Sequence, residues 1–190
     1  PHFNTWPDAG ITPFRSEKNT NWEGGFRVPA MVRWPGKIPA GTIVNDIMSH
    51  TDWVPTLMAA AGRPEITEAL KAGMQVNGKT YRNHLDGYNF LPYLTGQAEQ
   101  GPRNSFLYWS DDGLLTAMRI GDWKAIRQNM ARGNTEIELY NLADDPTESN
   151  DVAGQHPDRV KRMAAMMTEV REPSEVFPLI PFDAPPRGRR

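Results

Sequence analysis

Cysteine is absent from all 190 residues. That excludes disulfides and thiolate metal sites, and it removes cysteine usage as a guide to redox compartment, so secreted and cytosolic locations both stay open. Long apolar runs are missing as well. No stretch approaches the roughly 20 residues that a spanning helix needs, so no membrane span is expected. No basic-then-apolar signal segment opens the chain, but it starts at Pro1 and not at Met, so its natural N-terminus can lie elsewhere. Positive charge is not in excess either: 21 Lys and Arg face 23 Asp and Glu, for a net charge of -2. Nucleic-acid binding draws on clustered excess cations, so no nucleic-acid partner is expected. The one dense cationic run, Arg187 to Arg190, follows Pro185 and Pro186 at the chain end and reads as a solvated terminus.

What is plentiful is punctuation, with 17 prolines and 16 glycines, as in a loop-rich α/β or α+β protein. Residues 1 to 27 lack either hydrophobic period, and their aromatic residues (Phe3, Trp6, Phe14, Trp22, Phe26) predict a long ordered loop pinned to a surface. VPAMVRW, residues 28 to 34, is stopped by Pro35-Gly36 and predicts a buried strand of a sheet. DWVPTLMAAAG predicts a helix that Thr51 or Asp52 caps, with Pro55 in its first turn and Gly62 just past its end. A second short helix is expected around Ile66 to Ala72, a hairpin turn at Asn77-Gly78, and a loop with one helical turn over residues 85 to 95. After Gly101-Pro102 the runs FLYW, LLTAMRI, WKAIR and IELYNL alternate with turn residues, which predicts an antiparallel meander. A helix beginning after His156-Pro157 should lay Val160, Met163, Ala164, Met167 and Val170 across it. Prolines at 173, 178, 181, 185 and 186 make residues 173 to 190 an extended tail.

The most unusual local constellation is Arg15, Lys18, Glu23 and Arg27 in PFRSEKNTNWEGGFRVP. Gly24 and Gly25 allow close backbone approach, and the cations would favour an oxyanion such as sulfate, phosphate or carboxylate. Glu23 could order one of those cations. An ordinary solvated loop with surface ion pairs fits the same residues. The histidines at 2, 50, 84 and 156 show no metal-ligand spacing, so His50 and its neighbour Trp53 read as structural.

Resemblance adds what spacing does not. KNTNWEGGFRVP at Lys18 to Pro29, followed by WPGKI at Trp34 to Ile38, resembles the second signature region of type I sulfatases, in which Glu-Gly-Gly begins five positions after a Lys and is followed by Arg and Pro. SHTDWVPTLMAAAG and LYNLADDPTESNDVA are similar to later segments of the same family, and recognisable features run from about residue 1 to residue 170. The resemblance implies an alkaline-phosphatase-like α/β sandwich, of which this chain is the C-terminal part, with a small antiparallel sheet and a packed C-terminal helix. It implies a remnant of the large catalytic domain over residues 1–100, a sheet-and-helix subdomain over 101–172, and the tail over 173–190. A fragment of that kind is expected to expose apolar surface when isolated.

By the same resemblance the intact protein is expected to hydrolyse sulfate monoesters, small-molecule or carbohydrate, with a formylglycine nucleophile beside a calcium ion. A periplasmic or secreted location is what the family suggests. The formylglycine is made from Cys or Ser ahead of Pro-x-Arg, and no such motif is present. In Ile11-Thr12-Pro13-Phe14-Arg15 the Pro and Arg are in register, but Ile11 has no atom to oxidise. No metal residue is carried over, and the fragment alone is expected to be inactive without the remainder of the sulfatase domain. Lys18 matches the family's sulfate-gripping lysine, which makes it the catalytic and substrate-binding candidate. His2 is a candidate substrate contact, and Glu23, Gly24, Gly25 and Arg27 are expected to shape the loop. Two other functions remain open on the sequence: a phosphodiesterase or phosphonate-ester hydrolase on the same scaffold, or a non-catalytic anion- or sugar-binding module.

Overall fold

Alternating side chains along the meander strands decide the architecture. In a computed structural model, which describes residues 13–111, 113–171 and 176, the four predicted runs form β3 (Ser105–Trp109), β4 (Leu115–Ile120), β5 (Trp123–Ile126) and β6 (Glu138–Asn141). They make one sheet in the order β3-β4-β5-β6. β4 and β5 are antiparallel across the turn Gly121-Asp122, pairing Met118 with Ala125 and Arg119 with Lys124. β5 and β6 continue the register, pairing Ala125 with Leu139 and Lys124 with Tyr140. Because neighbouring residues on a strand face opposite ways, Met118, Ala125 and Leu139 line one face, and Arg119, Lys124 and Tyr140 the other. The sheet is therefore two-faced, one side apolar and the other charged and aromatic.

The apolar face receives α5 (Pro157–Glu169), whose Pro157 opens the first turn, where a missing N–H costs nothing. Met163 and Met167 enter a buried cluster with Leu114, Leu115, Met118, Ala125, Met130 and Leu139, and Val160 packs at its margin. The predicted stripe ends one turn early: Val170, just past the last helical residue, is 44% exposed.

The chain separates into two compact units. One joins the described residues among 1–29 to those beyond Leu107, and the other is Ala30–Phe106. Residues 13–29 thus pack with the meander far along the chain. Within the second unit, a 3-10 turn (His50–Asp52) runs into α2 (Trp53–Ala60). Asp52 stands at the start of α2, as the sequence suggested, but its carboxylate turns back to accept the Ser49 N–H at 2.7 Å while Ser49 receives the Thr51 N–H, so Ser49 is the cap. The predicted helix α3 (Ile66–Ala72) forms, and Met74–Val76 (β1) pairs with Lys79–Tyr81 (β2). Asn77 and Gly78 join these strands with φ of 50° and 77°, the doubly positive geometry of a type I′ turn. α4 (Leu91–Leu94) is the helical turn expected within residues 85–95.

Two expectations are corrected. Residues 28–34 form no strand, and they are exposed: Val28 is 64% and Met31 100% accessible. A run rich in β-branched residues becomes a strand only when another strand accepts its backbone groups, and no described residue does so here. Residues 13–27 are also not wholly loop, because Glu23–Phe26 closes one turn of helix, α1. The tail over 173–190, apart from Val176, and the first 12 residues, His2, Phe3 and Trp6 among them, lie outside the described residues.

Candidate functional site

Two glycines decide how the Lys18 segment is built. In α1, the Gly24 N–H donates to the Arg15 carbonyl at 2.9 Å. A Cβ on Gly24 would sit 2.2 Å from Ser16 O, and one on Gly25 would sit 2.4 Å from Thr20 O. Neither position has room for a side chain, so α1 presses directly against the backbone of residues 15–20. Ser16 and Asn19 turn the chain with φ of 62° and 69°, and the Thr20 hydroxyl donates to Glu17 O at 2.7 Å. Lys18 is at the tip of this turn and exposed. It makes no ion pair or hydrogen bond with the described residues, so its ammonium is uncommitted.

Beneath the turn lies the charged face of the meander. Glu23, 1% exposed, is its anchor. Its Oε1 accepts the Tyr108 hydroxyl at 2.6 Å and Lys124 Nζ at 3.0 Å, while its Oε2 accepts Arg27 Nε at 2.8 Å and Arg119 Nη1 at 3.2 Å. Lys124 is wholly buried and also forms an ion pair with Glu148 Oε1 at 2.7 Å. Glu148 reaches inward from a backbone φ of 52°. Its Oε2 accepts the Glu23 N–H at 2.7 Å, and its carbonyl accepts Arg15 Nη1 at 2.7 Å. Aromatic contacts complete the seat. Trp22 meets Tyr140 edge-on at 5.7 Å under the Arg15 guanidinium, Phe26 meets Tyr108 at 4.7 Å, and Arg27 lies over Phe14.

These surroundings push the two carboxylates apart. Burial alone would raise the Glu23 pKa, but the Lys124 charge and the hydrogen bonds from Tyr108, Arg27 and Lys124 together outweigh it and hold the group at about 2. For Glu148 burial prevails over Lys124, and its pKa is raised. Tyr108 is pushed well above the usual phenol range by burial and by the Glu23 charge. The phenol therefore stays protonated and donates.

Of the residues singled out from sequence, the structure brings Arg15, Glu23, Gly24, Gly25 and Arg27 around the turn that carries Lys18. Arg27 pairs with Glu23 one helical turn away, and His2 lies outside the described residues. His50 opens the 3-10 turn. Sequence reasoning passed over Tyr108, Arg119, Lys124 and Glu148. A signal for Lys124 was present: a lysine within the short run WKAIR, between turns, is a cation placed on a strand. Among the described residues no group of three or more His, Cys, Asp or Glu could hold a metal ion. The described residues therefore do not fit a calcium site, and the sequence holds neither a Cys nor a Ser ahead of Pro-x-Arg that could become a formylglycine.

Residues 7–63 match the family model described as Sulfatase. The chain is similar to an arylsulfatase of Hemicentrotus pulcherrimus, with 32% identity over 178 residues, which is 90% of this chain and 28% of the relative. It is also similar in structure to a sulfatase from Pseudoalteromonas sp., with 26% identity and a TM-score of 0.66 over 89% of this chain and 34% of that one. A further similar structure is Ps i-CgsB in complex with k-i-k-neocarrahexaose, at 27% identity and a TM-score of 0.61 over 83% of this chain and 32% of that one. The chain thus spans about a third or less of the proteins it resembles, and matches their C-terminal part. The signature run around Lys18, the two-faced sheet with its packed helix and these likenesses converge on one statement, that this chain belongs to the sulfatase family.

Proposed function

We propose that the intact protein carrying this chain is a sulfuric ester hydrolase acting on sulfate monoesters, and that Lys18 is the residue here that grips the sulfate. The observation that supports the reading is the uncommitted ammonium of Lys18, at the tip of a turn that two glycines and a buried ionic network hold in place. A compact cation beside a sulfate oxygen offsets charge on the ester and more strongly in the transition state, an attraction of roughly 4 kcal/mol at contact distance for an intermediate effective dielectric. Glu23, Gly24, Gly25 and Arg27 shape and brace the turn, and His2 contacts substrate. Residues 1–100 belong to the large catalytic domain and 101–172 to the small sheet-and-helix subdomain.

The attacking formylglycine and the calcium ion that the family implies are assigned to other parts of the intact protein. This chain by itself is therefore inactive. Its substrate is a small-molecule or carbohydrate sulfate ester, a choice supported by the neocarrahexaose bound to one similar structure. The test assays the intact protein with a chromogenic aryl sulfate and the matching aryl phosphate, beside a Lys18→Ala variant. Sulfate turnover that falls at least a hundredfold in the variant supports the reading, about the size of losing one preorganised charge contact. Turnover of the phosphate alone, or an undiminished variant, overturns it.

A further inference from the structure

Glu148 is 125 residues from Glu23 in sequence and 133 from Arg15, yet it holds both ends of the segment between them. Its carboxylate takes the Glu23 backbone N–H, and its carbonyl takes the Arg15 side chain. Lys18 lies between these two points, on a stretch otherwise tied by the Thr20–Glu17 hydrogen bond, by Arg15 over Trp22, by the close-packed α1 glycines and by Asn21, whose amide donates to Thr116 Oγ1 and Tyr108 O. The lysine itself has no such tie, so its place follows from the anchors on either side of it. Glu148 itself is fixed from below by Lys124, whose ammonium is fully enclosed between the two carboxylates, and from its own loop by its N–H donating to Asp145 O at 3.2 Å. That loop is tied in turn: the Asp145 carboxylate accepts the Ser149 and Asn150 N–H groups and the Thr147 hydroxyl. The support for the turn is thus a built structure, reaching from the loop after β6 to the base of the Lys18 segment.

We propose that Glu148 is a positioning residue for Lys18, a staple that sets where the ammonium sits without touching substrate; this rests on the reading of Lys18 given above. A staple of this kind acts on the reaction only through the lysine it holds. Removing it moves the charge, and a misplacement of about 1 Å costs up to about a hundredfold in rate.

A double-mutant cycle on the intact protein separates this role from a general contribution to folding. Aryl sulfate turnover is measured for wild type, Lys18→Ala, Glu148→Ala and the double variant, each corrected for its folded fraction. Glu148→Ala is expected to lower kcat/KM about 10- to 100-fold, and adding it to Lys18→Ala is expected to lower kcat/KM by no more than about threefold, because the lysine it positions is already gone. Where Glu148→Ala does not fold, Glu148→Met replaces it in the same cycle, since it keeps most of the side-chain volume but offers the Glu23 N–H no carboxylate oxygen. Losses that multiply in the double variant, or a folded Glu148 variant at full rate, overturn the positioning role alone. A Lys18→Ala protein that keeps its full rate overturns the function of Lys18 and the staple with it.

Discussion

At Lys124 one buried ammonium sits between two buried carboxylates: Glu23, which also pairs with Arg27 and Arg119, and Glu148, whose ion pair is with Lys124. Removing one partner of a buried ion pair costs about 3–5 kcal/mol, because the charges left behind are neither solvated nor paired. Lys124→Met is therefore expected to lower unfolding free energy by that amount in a urea titration, while Lys37→Met, on an exposed loop, is expected to change it by less than about 0.5 kcal/mol. The pH dependence follows from the Glu23 pKa of about 2, against an ordinary value of 4.5. A carboxylate lowered by folding adds stability above its unfolded pKa and loses it as pH falls through the folded one. The Glu23 contribution is thus complete above about pH 4.5 and lost between there and about pH 2. Glu148, raised by burial, works in the opposite sense and weakens the fold as pH climbs past its unfolded pKa. Tyr108→Phe deletes a donor to Glu23, so its acid unfolding midpoint should lie above that of the wild type. An unchanged midpoint would mean that the phenol contributes nothing to the charged form.

Among the elements, α1 is the one whose sequence contradicts its structure, since paired glycines are poor helix formers. Contact explains it: each glycine stands where any Cβ would collide with a loop carbonyl. Gly24→Ala should cost about 1–3 kcal/mol through overpacking. Gly78→Ala, which meets no atom within 4 Å but has a φ of +77°, should cost only the backbone strain of about 1–2 kcal/mol. Thermal unfolding of the two variants, read beside turnover in the intact protein, tells the two penalties apart, because only Gly24→Ala should also lower the proposed turnover of an aryl sulfate. Elements with their own local signals were legible in the sequence. The Asn77-Gly78 turn, α3 and the four meander strands all carry period or turn chemistry that does not depend on distant residues. Residues 28–34 carried the same kind of signal and misled, because a strand is a relation between two segments and only one was read. The Glu23 network was hidden for a similar reason: its members come from β3, β4, β5 and the loop after β6, and nothing in their spacing links them.

Across the full chain, the sequence motif and the structure locate different things. The motif marked the turn that carries Lys18, while the structure marks what the turn rests on. The described segment 30–44 bears exposed Met31, Val32, Ile43 and Val44, an apolar load of the kind that drives association when it is left uncovered. The chain expressed alone is expected to associate with rising concentration, and Met31→Lys combined with Ile43→Lys should reduce that association in sedimentation measurements without changing the unfolding midpoint by more than a few degrees. Equal association of both proteins would place the sticky surface elsewhere.

Glu148 holds its carboxylate inward from a φ of 52°, a backbone state that most side chains avoid and that Asn and Asp reach more readily than β-branched residues. Genetic screens for lost turnover should therefore recover Val, Ile or Thr at this codon as readily as changes at Lys18 itself, and a geneticist mapping such alleles would see two unconnected loci where the folded protein has one.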